Sequence, residues 1–270
     1  MKPFRCNQKN DLDILSSLLA PLNLGAWQYH TVVGSTNDLA MGWAQKGAPD
    51  WSLVIADEQT AGRGRAERGW VTKPGGGLAI SLVLRPSADE VAYFPRFTAL
   101  AALGLIRALA VLGLEGQIKW PNDILLSGKK VAGVLVEADW QEDSLQSLVV
   151  GMGVNVNIEA LPDAGGLRYP AISVEQTMGE SVDRWALLVD TLREMMALRQ
   201  DLPKAAFMEA WNQRLAFRDQ WIQVNMPGTK SARVKLLCIS HEGQLVVETA
   251  DGKTVQVVAG EIEMSSQCKE

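Results

Sequence analysis

The sequence predicts an α+β protein in which helices flank a mixed β-sheet and a small β-barrel follows toward the C-terminus. Three observations carry that expectation. Residues 75–86, GGGLAISLVLRP, are apolar on both faces up to Pro86, as a strand covered from two sides must be. Residues 97–112 are apolar nearly all round, which fits a helix buried in a core. From about Asp219 the texture changes to short alternating runs, WIQV, ARVKLLCIS, QLVVETA and TVQVVAGEIEM, parted by MPG, HEG and ADG turns.

Taken in order, DLDILSSLLAPLNL (11–24) has helical periodicity and stops near Pro21. STNDLAMGWAQKG (35–47) reads as a capped helix, with Ser35 or Thr36 ahead of the apolar Leu39, Met41 and Trp43, and Gly47 past its end. WSLVIADEQT (51–60) is a strand running into a glycine- and arginine-rich loop. GQIKWPNDILL (116–126) is expected to be extended around Pro121, and SGKK (127–130) to turn a hairpin. VAGVLVEA (131–138) and SLVVGMGVNVN (147–157) add two strands joined by a polar connection. Residues 183–199 and 203–215 have helical spacing. The expected divisions are 1–24, an N-terminal helical extension, 25–217, the main domain, and 218–270, the barrel.

A chain of 270 residues, 47% of them hydrophobic, can bury one large core and a small second one. Its net charge of −5 opposes a general nucleic-acid or membrane-surface role, since both of those surfaces are anionic. Any anion site has to be local. Cys6, Cys238 and Cys268 are far apart and odd in number, which suits neither a disulfide framework nor a zinc cluster. The N-terminal MKPFRCNQKNDLD has no apolar signal-peptide core, and the longest apolar run, 98–106, is too short to span a bilayer, so a cytoplasmic protein is expected. His30 and His241 each lack a nearby cluster of Asp, Glu or Cys at metal-ligand spacing, and chemistry is expected to rest on lysine, arginine, amides and carboxylates.

QTAGRGRAERGW (59–70) places three glycines and three arginines between residues 62 and 69. A strand, not a helix, is expected to follow, which removes the dinucleotide-fingerprint reading of Gly62 and Gly64. Two readings remain: bare amides with Arg63, Arg65 and Arg68 wrapping an anion, or a solvated basic turn. In KWPNDILLSGKK, Lys119, Asn122 and Asp123 cluster around Pro121 and offer the cation, amide and carboxylate that suit a nucleotide phosphate and its magnesium ion. Lys130 stands at the mouth of an apolar strand, where an ammonium can grip a carboxylate, whereas Lys129 suits solvent. Gly133 weakens that strand unless something approaches the backbone closely. Gly151, Gly153 and Asn155 share one strand face, which makes room for a flat ligand or for a crossing helix.

The ordered set STN (35–37), QTAGRGR (59–65), KWPND (119–123), KKVAGVLVE (129–137) and GVNVN (153–157) resembles the biotin protein ligases over residues 30–160. The resemblance implies a core like that of class II aminoacyl-tRNA synthetases, a small SH3-like domain behind it, and ligation in two steps. Biotin is activated by magnesium-bound ATP as biotinyl-5′-AMP, then transferred to a lysine of a biotin carboxyl carrier protein. It implies that Ser35, Thr36, Asn37 and Gln59 line the biotin head, with Gly62, Gly133 and the backbone of Arg63, Gly64 and Arg65 closing around it. Lys130 holds the biotin carboxylate and, with Arg65, serves the reaction. Arg65, Arg68, Lys119, Asn122, Asp123 and Asn155 serve the nucleotide, Trp70 forms a wall, and Asp123 meets magnesium through ATP.

Two departures from the family pattern matter. Where it reads Gly-Arg-Gly-Arg-x-Gly-Arg, this chain has Ala66 and then Glu67, a carboxylate that must turn to solvent or pair with Arg68. About 30 residues precede Ser35, too few for the winged helix-turn-helix of the family's repressors, so no DNA partner is expected; a homodimer is neither required nor opposed. The rival readings are a lipoyl or octanoyl ligase or transferase of the same superfamily and a biotin-binding module without catalysis. A nucleic-acid groove is the weakest, because the arginines sit in one turn without interleaved aromatics.

Overall fold

The computed structural model describes residues 8–66, 68–161, 169–228 and 230–263. It is a mixed α+β fold in which helices cover a mixed sheet. The order is α1 (Gln8–Leu19), β1 (Ala26–Val33), α2 (Thr36–Ala44), β2 (Ser52–Arg63), β3 (Gly69–Thr72), β4 (Gly77–Leu84), α3 (Ala88–Val91) and α4 (Arg96–Val111). There follow β5 (Gly116–Lys119), β6 (Asp123–Leu126), β7 (Lys129–Gln141), β8 (Ser144–Asn155), α5 (Val174–Met178), α6 (Arg184–Arg199) and α7 (Ala205–Gln213). The last described elements are β9 (Trp221–Asn225), β10 (Ala232–Ile239), β11 (Leu245–Glu248), β12 (Thr254–Val257) and β13 (Glu261–Glu263).

The first eight strands make one sheet in the order β1-β2-β4-β8-β7-β6-β5, with β3 paired to β2. Among the described strand pairs of this sheet β1 and β2 run parallel and the others antiparallel. As period two requires, one face of the sheet sends Ile80, Leu82, Val134 and Val150 against Phe97, Leu100 and Leu188 of α4 and α6. The other face packs Val54, Val83 and Val149 against Ala40 and Ala44 of α2. Alanines on that side let α2 lie close to the sheet. Among the described residues no helix is long and apolar enough to cross a membrane.

The last five strands form an antiparallel sheet ordered β12-β11-β10-β9-β13. It is tied to the rest by polar contacts: Trp120 donates to the Gly243 carbonyl at 3.1 Å, and Asn212 of α7 bonds both backbone groups of Ile239. TVQVVAGEIEM, read as one strand, breaks into β12 and β13 at Ala259–Gly260, where a Cβ on Gly260 would lie 2.6 Å from the Asn225 carbonyl oxygen. The segment around Pro121 is not extended. Lys119 pairs with Asp123 across a reversal whose Trp120–Pro121 peptide is cis.

Candidate active site

Alternation along β4, β7 and β8 puts their odd-numbered residues on the α2 side of the sheet, and there the side chains shrink. Ser81 lies opposite Gly151, Gly151 opposite Leu135, and Gly153 opposite Gly133. A cleft of about 1080 Å³ opens above them, beyond the N-terminus of α2. A Cβ on Gly151 would overlap Asn37 Oδ1, and a Cβ on Gly153 would overlap the indole of Trp70. The same indole lies 3.5 Å from where a Cβ on Gly133 would be. At Gly151 the close neighbour is Asn37 of helix α2, which lies on this face of the sheet, whereas the indole of Trp70 from β3 lies against Gly133 and Gly153.

One end of the cleft is built from neutral hydrogen-bonding groups. Gln59 Oε1 accepts from the Thr36 amide at 2.8 Å and from its hydroxyl at 3.0 Å, and Gln59 Nε2 donates to Thr72 Oγ1 at 3.3 Å. Ser81, fully buried, meets Thr36 Oγ1 at 2.8 Å and Asn37 Oδ1 at 2.6 Å. Asn37 Nδ2 donates to Glu137 Oε2 at 2.6 Å. Ser35 holds the N-cap position of α2 without a side-chain capping bond, so its buried hydroxyl faces the cleft instead of closing the helix.

The other end is positive. Lys130 Nζ lies 2.6 Å from Asp123 Oδ1, and Lys119 Nζ 3.4 Å from Asp123 Oδ2. Lys130 also stands over the Trp70 ring at 5.4 Å, and Lys119 over the Tyr169 ring at 4.9 Å. Burial pushes the Lys119 pKa below the ordinary 10.5, with Asp123 opposing the shift and Lys130 adding to it. Burial likewise pushes Arg65 down against Glu261 and Asp123, and among the described residues its buried Nη1 has no hydrogen-bond partner. Arg65 lines the cleft, where a guanidinium can meet an anion through charge-assisted hydrogen bonds.

All the site residues expected from the sequence line this cleft except Gly62. Gly62 sits behind Gln59, where a Cβ would overlap the Trp70 carbonyl across the β2–β3 pair. Arg63 turns its side chain outward to Asp38 at 2.6 Å and Glu137 at 2.9 Å. Asn122 spends its amide on the Val134 carbonyl at 2.7 Å, and Asn155 donates to the Ile172 carbonyl at 3.3 Å, so both brace the backbone beside the cleft. Asp123, expected to meet magnesium, accepts two ammonium groups instead, which does not suit a metal ligand; among the described residues no group of three or more His, Cys, Asp or Glu could hold a metal ion. Glu67 lies outside the described residues, while Arg68 pairs with Glu261 of β13 and Ala66 takes a φ of 54°, a conformation that favours glycine. Ser81, Glu137, Tyr169 and Glu261 were not singled out by sequence. Ser81 carries the one recoverable signal, a hydroxyl inside an otherwise apolar strand that demands a polar partner.

Residues 29–155 match the biotin/lipoate A/B protein ligase family. The chain is 35% identical over 230 residues to the biotin–(acetyl-CoA-carboxylase) ligase of Paracoccus denitrificans, covering 82% of this chain and 93% of that one. It is also 35% identical over 229 residues to the bifunctional ligase/repressor BirA of Bacillus spizizenii, covering 83% of this chain and 70% of that one. In structure it is similar to the biotin protein ligase of Aquifex aeolicus in complex with biotin and ATP, with a TM-score of 0.75, 26% identity, and 88% and 97% of the two chains covered.

Proposed function

The chain belongs to the biotin protein ligase family, and from that premise we propose that the cleft joins biotin to ATP and passes the product to a protein lysine. In the first step a biotin carboxylate oxygen bonds to the α-phosphorus of ATP as the bond to the β-phosphate bridging oxygen breaks, giving biotinyl-5′-AMP and pyrophosphate. In the second, the amine of one lysine on a biotin carboxyl carrier protein attacks the acyl carbon, AMP leaves with the electron pair, and the amine proton goes to solvent.

The observation that carries this reading is the division of the cleft into a neutral donor–acceptor end and a cationic end on one glycine floor. Two anions must meet for the first step, and their repulsion is overcome only where positive charge is fixed in advance. We assign Lys130 to the carboxylate and then to the acyl–phosphoryl oxygen, and Arg65, Arg68 and Lys119 to the phosphates. Ser35, Thr36, Asn37 and Gln59 take the biotin head, with Trp70 as the apolar wall. Asn122, Asn155, Gly62 and Arg63 act by holding the frame. Magnesium would be brought by ATP, where it supplies charge neutralisation, and no step is routed through Asp123.

We read the eight-stranded sheet as the class II synthetase-like core (25–217) and the five-stranded sheet as an SH3-like unit (218–270), in line with their separate strand sets. We also read the protein as a cytoplasmic enzyme acting without DNA, supported by its net charge of −5. A biotin-dependent mobility shift of promoter DNA would overturn that last point, and light scattering decides whether it is a homodimer. Pyrophosphate release on mixing enzyme, biotin and MgATP tests the first step, and label transfer to a carrier domain tests the second. Transfer of lipoate in preference to biotin rejects the assignment.

A further inference from the structure

One oxygen of Glu137 joins the neutral end of the cleft to the strand end from which the glycine- and arginine-rich loop departs. Glu137 Oε2 accepts from Asn37 Nδ2 at 2.6 Å and from Arg63 Nη2 at 2.9 Å. Asn37 belongs to the N-terminus of α2, at the neutral end of the cleft; Arg63 is the last residue of β2, where the glycine- and arginine-rich loop departs. The bond to Asn37 also settles which way its amide points. Nδ2 donates to Glu137 and, at 3.4 Å, to the Leu135 carbonyl, while Oδ1 accepts from Ser81 at 2.6 Å. Turned over, the amide would set its oxygen against a carboxylate, two acceptors at hydrogen-bond distance with no proton between them.

We infer that Glu137 is a positioning residue that orients the Asn37 amide for the biotin head and tethers the loop through Arg63, so that one carboxylate serves head recognition and loop retention together. The inference rests on the biotin–ATP reading of the cleft. The two arms differ physically. Asn37 is buried, so its arm is shielded from solvent ions, whereas the Arg63 side chain is 44% exposed and its arm is screened by salt. A neutral amide in place of the carboxylate can still accept from Asn37 but no longer holds a guanidinium by charge.

The test is steady-state adenylation and biotinyl-5′-AMP release for the wild type, Glu137→Ala, Glu137→Gln, Asn37→Ala, Arg63→Ala and the two double variants that combine Glu137→Ala with each partner. Glu137→Ala should raise KM for biotin about ten-fold, the loss typical of one charge-assisted hydrogen bond, and hasten adenylate release. Glu137→Gln should restore most of the biotin KM while release stays fast and its salt dependence falls to that of the remaining Arg63–Asp38 pair. Asn37→Ala should absorb the KM effect, and Arg63→Ala the release effect. The inference is overturned by a Glu137→Ala enzyme within two-fold of wild type on both counts, by full additivity in both double variants, or by losses that track a fall in Tm. Hydrogen exchange of residues 62–66 in the ligand-free protein separates the two levels. Faster exchange in Glu137→Ala beside a wild type silent on biotin keeps the tether and rejects the biotin reading; unchanged exchange in an active enzyme rejects the tether.

Discussion

Lys130, Asp123 and Lys119 form a row of alternating charge in which one carboxylate keeps two ammonium groups close enough to act on neighbouring anions. Without Asp123 the two cations would repel each other in a partly desolvated wall. Lys130→Ala removes the group nearest the cleft's apolar floor and should lower pyrophosphate release at saturating ATP by about a hundred-fold or more, the cost of losing a preorganised electrostatic contact; a rate near wild type would put this side chain outside the reaction. Lys119 gives a second expectation. Because burial lowers its pKa from 10.5, the charged form is lost at lower pH than for an ordinary lysine, and ATP binding should weaken on an alkaline limb below 10.5. Asp123 raises that pKa, so Asp123→Asn should move the limb further down, and Lys119→Arg should abolish it; the pH profile of the ATP KM reads both.

Strands β7 and β8 illustrate how an element carries a site through its pleat. Gly133 and Gly153 are paired, and the indole of Trp70 rests on both. Gly153→Ala ordinarily favours a strand, yet here the new methyl has to displace Trp70, so biotin affinity by calorimetry should fall by more than about ten-fold while the Tm changes little. Equal losses in both would mean the glycine serves packing alone. The stripe itself was legible, since glycines at alternate positions of an apolar run have no propensity reason to be there. So were α2, α4, α6 and the SGKK turn, where Ser127 and Gly128 both take the left-handed φ a tight hairpin needs. Strand β1 was not, because nearly every residue in it is half-buried and the polar–apolar alternation that marks a strand is blurred. Helices α3 and α5 were too short to show a period. What Asn37, Arg63 and Asp123 do was hidden for another reason: their partners Glu137, Asp38 and the two lysines are set by register and helix docking, which no local pattern encodes.

Across the whole molecule, buried charge fastens the helices to the sheet that bears the site. Arg184 at the start of α6 bonds Asp57 of β2 at 2.6 Å, and Asp57 in turn accepts from the Gly75 amide at 3.0 Å in the loop leading to β4. Arg199 at the other end of α6 grips Asp50 ahead of β2 and Glu90 of α3, at 2.7 and 2.8 Å. One helix thus holds the loop ahead of β2 and the middle of β2 itself, the strand that delivers Gln59 and Arg63 to the cleft. The Glu90 pair has a pH signature. Burial alone would raise the Glu90 pKa, but the hydrogen bonds from Arg199 and Ser87 prevail and bring it below the ordinary 4.5. A carboxyl more acidic when folded than when unfolded contributes its full stability above 4.5 and loses it as the pH falls toward its lower folded value. Thermal melts between neutral and strongly acid pH should therefore show a decline beginning near 4.5, and Glu90→Gln should be less stable at neutral pH yet flatter across the acid range. If the variant's acid slope matches the wild type, the Arg199–Glu90 pair is not what acid releases.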